Sequence, residues 1–211
     1  MSGLLAAGGA AAAWDGSGTD LAVNAGVTLN PTANGNMVLA GYNVDTQNNA
    51  GQAFYTWGSN GYPLDLPALQ NAPVILVQDF GGNGLTVTNI SAQATIWVAA
   101  YGPGVGPDPQ PLPADGVSYS LPPYQARSTV SSGGWQRLVL QADQGYTVFV
   151  LFVGNEVTTI CVNAPTSVCG YDVSTPDNSY QLTQSFGGQT VWVINLSPSS
   201  SDLGQVSLTS L

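Results

Sequence analysis

Of the side chains that carry acid–base or nucleophilic chemistry, this chain offers almost only aspartate. Its 211 residues hold eleven Asp, one Glu (Glu156), two Arg (Arg127 and Arg137), and no Lys or His. Composition therefore excludes imidazole bases, Schiff-base lysines, phosphate-loop lysines and histidine metal ligands. What remains is paired-carboxylate chemistry, the hydrolysis of glycosides or of peptides at acid pH. The aspartates sit mostly beside Gly, Pro, Asn or Thr, where a carboxylate serves its own turn. No aspartic-protease spacing occurs, so an acid-active hydrolase ranks third among the functions considered.

Three other groups could bind something. Asp15, Ser17 and Asp20 place oxygen donors in a Gly-rich run and form a candidate calcium site, without the bidentate glutamate of an EF-hand. No cofactor and no other metal is expected. Trp57, Asn60 and Tyr62 bracket a Gly-Ser turn and form the candidate glycan platform, a ring to stack on a pyranose with an amide beside it. Cys161 and Cys169 flank a loop containing Asn-Ala-Pro. Two buried thiols are the alternative there, but we expect a disulfide, which would imply an oxidising location. Asn89-Ile90-Ser91 and Asn195-Leu196-Ser197 fit the glycan-acceptor pattern, yet belong to a repeated turn that already accounts for them.

The totals constrain partners. A net charge of −10 with two arginines gives no basic footprint for nucleic acid and disfavours anionic membrane surfaces. No run reaches the ~18 apolar residues of a membrane span. Charged residues are 7% of the chain while apolar ones are 44%. A real core is therefore available, and solubility must come from amides, hydroxyls and backbone. Such a surface suits a harsh exterior, or a protein largely covered by copies of itself.

The elements that must position these residues are strands. No long stretch has helical periodicity. Short β-branched and aromatic runs alternate with Gly, Pro, Asn and Ser clusters, which is the pattern of a sandwich. Strands are expected at 21–29, 37–44, 53–57, 74–78, 85–89, 95–101, 136–142, 146–153, 190–196 and 205–211. Residues 205–211 alternate as a half-solvated strand does. By contrast, Val148, Phe149, Val150, Leu151, Phe152 and Val153, like Val74–Val77, are apolar on both faces. Such strands need two covers, and a neighbouring subunit is one source of the second, so Val148–Val153 is the expected interface. The Pro-rich run 107–113 is expected to stand outside any sheet ladder.

A repeat organises the whole. Leu76-Val77-Gln78-Asp79-Phe80-Gly81-Gly82 returns as Leu182-Thr183-Gln184-Ser185-Phe186-Gly187-Gly188, and each copy is followed at one spacing by the Asn-x-Ser triplet. The reading is a hairpin in which Phe plugs the core and Gly-Gly turns the chain. We expect an all-β fold, an antiparallel, jelly-roll-like β-sandwich of two similar units in tandem. The boundaries are a flexible N-terminal arm at 1–20, a first unit at 21–101, a Pro/Gly-rich loop or linker at 102–123, and a second unit at 124–211.

In style, though not in motif, this succession of strands, Asn-x-Ser turns and a proline loop resembles external virion components and other assembling surface proteins. The leading expectation is a non-enzymatic self-assembling structural protein: a viral capsid, decoration or spike protein, or a surface-layer or filament subunit. Its place would be a virion surface, a cell surface or the extracellular space, and its partners copies of itself or of the assembly. A carbohydrate-binding, lectin-like module is the alternative.

Overall fold

The computed structural model describes residues 18–29, 36–68, 73–101, 108–165, 169–197 and 203–211. Among the described residues every multi-residue element is a strand. Two compact units divide the chain, Met1–Gly106 and Pro107–Leu211.

In the first unit the strands are β1 (Thr19–Leu21), β2 (Gly26–Leu29), β3 (Asn36–Asn43), β4 (Gly51–Trp57), β5 (Asn60–Leu66), β6 (Val74–Asp79), β7 (Leu85–Asn89) and β8 (Ile96–Tyr101). The antiparallel pairs run from the ends inward: β1 with β8, β2 with β7, β3 with β6, β4 with β5. This is one long ribbon folded at the β4–β5 hairpin and rolled up, a jelly roll. Alternate pairs fall into two sheets, β1-β8-β3-β6 and β2-β7-β4-β5. The apolar residues of period two meet between them, around Leu39, Tyr55, Phe80, Leu85 and Ile96.

The second unit repeats this plan. Its strands are β9 (Gln110–Pro111), β10 (Tyr119–Leu121), β11 (Ala126–Val130), β12 (Trp135–Ala142), β13 (Thr147–Val153), β14 (Glu156–Val162), β15 (Val173–Thr175), β16 (Ser179–Ser185), β17 (Thr190–Asn195) and β18 (Gly204–Ser210). One sheet is β10-β18-β12-β16; the other contains β14-β13-β17-β11, with β15 and β9 added at its two edges. Without those two short parallel strands, the strand order is that of the first unit, element for element. Leu140, Phe149, Phe186 and Val193 lie in its core.

The repeated motif has a structural cause. Phe80 and Phe186 are buried, and the glycines after them adopt left-handed φ of 59° and 68° in one unit, 63° and 76° in the other. The motif is not a hairpin, as the sequence suggested. The strand before each Phe and the strand after the Gly-Gly belong to different sheets. The Phe therefore inserts between the sheets while the glycines carry the chain across.

Asn89 and Asn195 solve the matching problem at the opposite bends. Where β1 leaves one sheet and β2 enters the other, backbone groups lose their ladder partners. Asn89, fully buried, donates Nδ2 to the carbonyls of Leu21 at 2.8 Å and Ala94 at 2.9 Å, and accepts at Oδ1 from the Ser91 amide at 2.9 Å. Ser91 Oγ then accepts from the Gln52 amide at 2.7 Å. In the second unit Asn195 donates to the Leu121 carbonyl at 2.9 Å and accepts from the Ser197 amide at 2.9 Å, while Ser197 Oγ accepts from the Val148 amide at 3.1 Å. Both Asn-x-Ser triplets are thus interior cross-ties, with the would-be glycan acceptor nitrogens already donating to backbone.

Several expectations need correction. Residues 21–29 are not one strand: they break at Asn24, which takes φ 63°, so that β1 and β2 can join different sheets. The proposed arm at 1–20 ends earlier, since Thr19 already pairs with Val98; its residues 1–17 lie outside the described residues. The loop proposed at 102–123 contains β9 and β10. Pro111 does sit in a ladder, at the sheet edge, where a missing N–H costs least. The Leu112 amide donates to Ser128 at 2.8 Å and its side chain enters the core. Strands β5, β11, β14, β15 and β16 were not anticipated either.

Candidate functional site

The β4–β5 hairpin turns at Gly58-Ser59, with Gly58 at φ 53°. Along β4 the side chains alternate, so Ala53, Tyr55 and Trp57 face inward. Tyr55 and Trp57 stack at 5.7 Å with an interplanar angle of 7°, and Trp57 meets Phe80 edge-on at 5.3 Å. Tyr62 lies 5.6 Å from Trp57 and is 51% exposed, whereas Trp57 is only 8% exposed. The expected glycan platform therefore changes character. Trp57 is a core residue supporting the Tyr62 ring, and only Tyr62 and the exposed Asn60 face solvent. Burial, and then the neighbouring Tyr62, push the Tyr55 phenol up.

Several carboxylates are engaged by backbone amides. Asp45 accepts from the amides of Gln47 and Asn49 and from Asn49 Nδ2; Asp79 accepts from the Gly81 amide at 2.7 Å; Asp172 accepts from the Thr159 amide at 3.0 Å. Of the candidate calcium ligands, Asp15 and Ser17 lie outside the described residues, and Asp20 is exposed on β1. Among the described residues no three His, Cys, Asp or Glu side chains cluster as a metal site would require.

Arg127 clamps β9 and β10. Its Nη1 donates to the Pro111 carbonyl at 2.7 Å, its Nε to the Ser120 carbonyl at 3.0 Å, and its guanidinium lies 4.8 Å over the Tyr119 ring. Tyr119 in turn donates to Asp115 at 2.7 Å. That bond, with the Val117 amide, holds the Asp115 carboxyl below its ordinary range, and the same bond raises the Tyr119 phenol. The cluster is a brace for the edge of the second unit. An open groove of about 450 Å³, lined by Gly51, Gln52, Asp65, Leu66 and Ile90 among others, has a single carboxylate, which Gln52 Nε2 already hydrogen-bonds.

The surfaces that could hold another molecule lie elsewhere. On the expected interface strand, Val148, Phe149, Val150, Leu151 and Phe152 are buried in the single chain and Val153 is half-buried. Phe149 and Leu151 face the core between the sheets, and Val148, Val150 and Phe152 on the other face are equally inaccessible. That strand does not offer the apolar area a second copy would need. Cys161, on the neighbouring β14, is bonded to Cys169. Trp97 and Trp192 are buried, although neither belongs to the cluster between its unit's sheets.

Two places are accessible, the first of them missed by sequence reasoning. Trp135, 60% exposed, shares the outer face of β12 with Arg137, amid Thr and Ser of β16 and β18. β6 pairs with β3 on one side and, among the described residues, with nothing on the other; its Val77 is 40% exposed. The doubly apolar composition of residues 74–77 was the available signal for β6. It was read as a demand for cover rather than as an open edge.

No family model matches the chain, and no curated protein does. Among solved structures it is similar to the CUB1-EGF-CUB2 domains of rat MASP-1, with 8% identity over 90% of this chain and 97% of that one, and a TM-score of 0.25. At that score the likeness specifies neither fold nor function.

Proposed function

We propose that this chain is a non-enzymatic structural protein that assembles with copies of itself on an exterior surface, as a virion protein or a surface-layer or filament subunit. The observation that carries the reading is the same jelly roll built twice in one chain that has no His or Lys and in which Asp45, Asp79 and Asp115 brace turns. Jelly rolls serve capsids and lectins alike, so the fold alone does not choose between them. The scarcity of charge favours assembly, because contacts must then be apolar or amide-based. The Cys161–Cys169 bond supports an oxidising, extracellular setting.

A second reading, glycan binding, rests on the exposed rings of Tyr62 and Trp135, the latter beside Arg137. Electron micrographs of the concentrated protein and a glycan array separate the two. Regular particles, sheets or filaments with no sugar signal support assembly. Dispersed monomers that bind a sugar overturn it in favour of the lectin.

A further inference from the structure

We infer that the outer face of the sheet β10-β18-β12-β16 binds a carboxylated saccharide, with the sugar ring on Trp135 and its carboxylate on Arg137. The inference rests on the glycan-binding reading above and deepens it at one of its two rings, by naming the ligand class and the residues. Assembly neither requires nor forbids it.

The chain has two cationic side chains and treats them differently. Arg127 works within the fold, on the carbonyls of Pro111 and Ser120 and over the Tyr119 ring. Arg137 is exposed on β12, and among the described residues its guanidinium has no hydrogen-bond, ion-pair or ring partner. The chain holds twelve acidic residues, yet no described carboxylate is set against it.

Tryptophans divide in the same way. Trp57, Trp97 and Trp192 are buried, whereas Trp135, two residues before Arg137 on the same face, is 60% exposed. An indole left in water forgoes a large burial term. The approach to this ring is clear. Gly133 and Gly134, just before it, do not adopt a left-handed φ, and a Cβ on Gly133 would meet no atom within 4 Å. Neither backbone geometry nor packing demands glycine there, and the missing side chains leave the ring open.

The ligand follows from what surrounds the pair. Residues i and i+2 of a strand lie about 7 Å apart on one face, so a pyranose stacked on Trp135 brings a ring substituent within reach of the Arg137 side chain. Thr183 and Thr209 sit directly across from Arg137 on either side. Among the described residues their hydroxyls have no partner and can meet those of a sugar. A guanidinium matches a carboxylate bidentately. Arg137 is the one charged residue in the four strands of this sheet. Asp115 bridges to Thr209, which places it two strand spacings from Arg137, about 10 Å. At physiological ionic strength that exceeds the Debye length of ~8 Å, so the anion meets Arg137 rather than the net charge of −10. One guanidinium is too little for a polyphosphate. Hydroxyls around Arg137, rather than an apolar centre, make a poor protein interface.

A glycan array of matched pairs, each a uronic- or sialic-acid glycan and its neutral counterpart, tests this on the full chain, followed by titration of the best pair. The variants are Trp135→Ala, Arg137→Gln and Tyr62→Ala, with thermal melting as the folding check. The wild-type chain should bind the carboxylated member at least about tenfold more tightly. Arg137→Gln should remove that preference. Trp135→Ala should weaken both members at least about tenfold, and Tyr62→Ala should change neither. If Trp135→Ala does not fold, Arg137→Gln decides. Equal binding of both members, or a preference that survives Arg137→Gln, overturns the inference. Binding that Tyr62→Ala abolishes also overturns it, while leaving the glycan reading standing at the β4–β5 hairpin. A wild-type chain that binds no glycan overturns both.

Discussion

Asn89 and Asn195 each hold a sheet-to-sheet bend with one side chain. Asn89→Ala leaves the Leu21 and Ala94 carbonyls without their donor, and Asn195→Ala does the same to Leu121. Each carbonyl left unsatisfied in the interior costs about 1–3 kcal/mol. Urea unfolding should show both variants less stable by at least that amount. A loss below ~0.5 kcal/mol in either would remove the asparagine from its structural role. The triplet was legible in the sequence as a repeated turn. Its burial was not, because one partner of Asn89 lies 68 residues away. Trp57 failed similarly: a Trp beside Gly-Ser-Asn reads as exposed until Phe80, from the bend after β6, is seen against its ring.

At the level of elements, strong alternation and β-branched runs were enough to locate β3, β7, β8, β12, β13, β17 and β18. The strands that escaped notice lack that signal. β16 is largely Gln, Ser and Thr, β5 contains a proline, and β11 contains Arg127. Their ladders are set by the partners they roll against, so topology overrides propensity. β9 is the extreme case, two residues held by the Arg127 guanidinium on the Pro111 carbonyl and by the Leu112 amide on Ser128. Arg127→Ala should loosen this edge locally. Hydrogen exchange at the Leu112 amide should quicken by at least about tenfold while the Leu140 amide in β12 is unaffected. Equal protection of Leu112 in variant and wild type would show that Arg127 does not hold β9.

For the whole molecule, the lack of His and of free Cys leaves no side chain of ordinary pKa between about pH 6 and 8. Outside that window the signs are set by particular groups. Burial raises the phenols of Tyr42, Tyr55 and Tyr171, and the bond to Asp115 raises that of Tyr119. Above about pH 10 the folded chain therefore holds protons that the unfolded chain has lost, and stability falls as pH rises. Asp115 acts in the opposite direction. Its lowered pKa contributes stability above the ordinary carboxylate value, and that contribution is lost as pH falls through the folded value. Circular-dichroism melts should give a Tm constant within about 3 °C from pH 6 to 8 and declining above pH ~10. A sloping Tm across neutrality would contradict this. The tandem organisation was legible from five shared residues and one offset. The burial of strand Val148–Val153 within the single chain was not, because apolarity on both faces calls for two covers without saying which chain supplies the second.

The central claim, assembly through apolar rather than ionic contacts, is tested most directly by sedimentation velocity of the wild-type chain at micromolar concentration in low and in molar salt. With two arginines and no lysine, subunits cannot be joined by ion-pair networks, and screening of the net charge of −10 can only ease their approach. The expected result is a species larger than one chain at both ionic strengths, no smaller in molar salt. A monomer in both conditions, or an assembly that salt dissolves, would contradict the account.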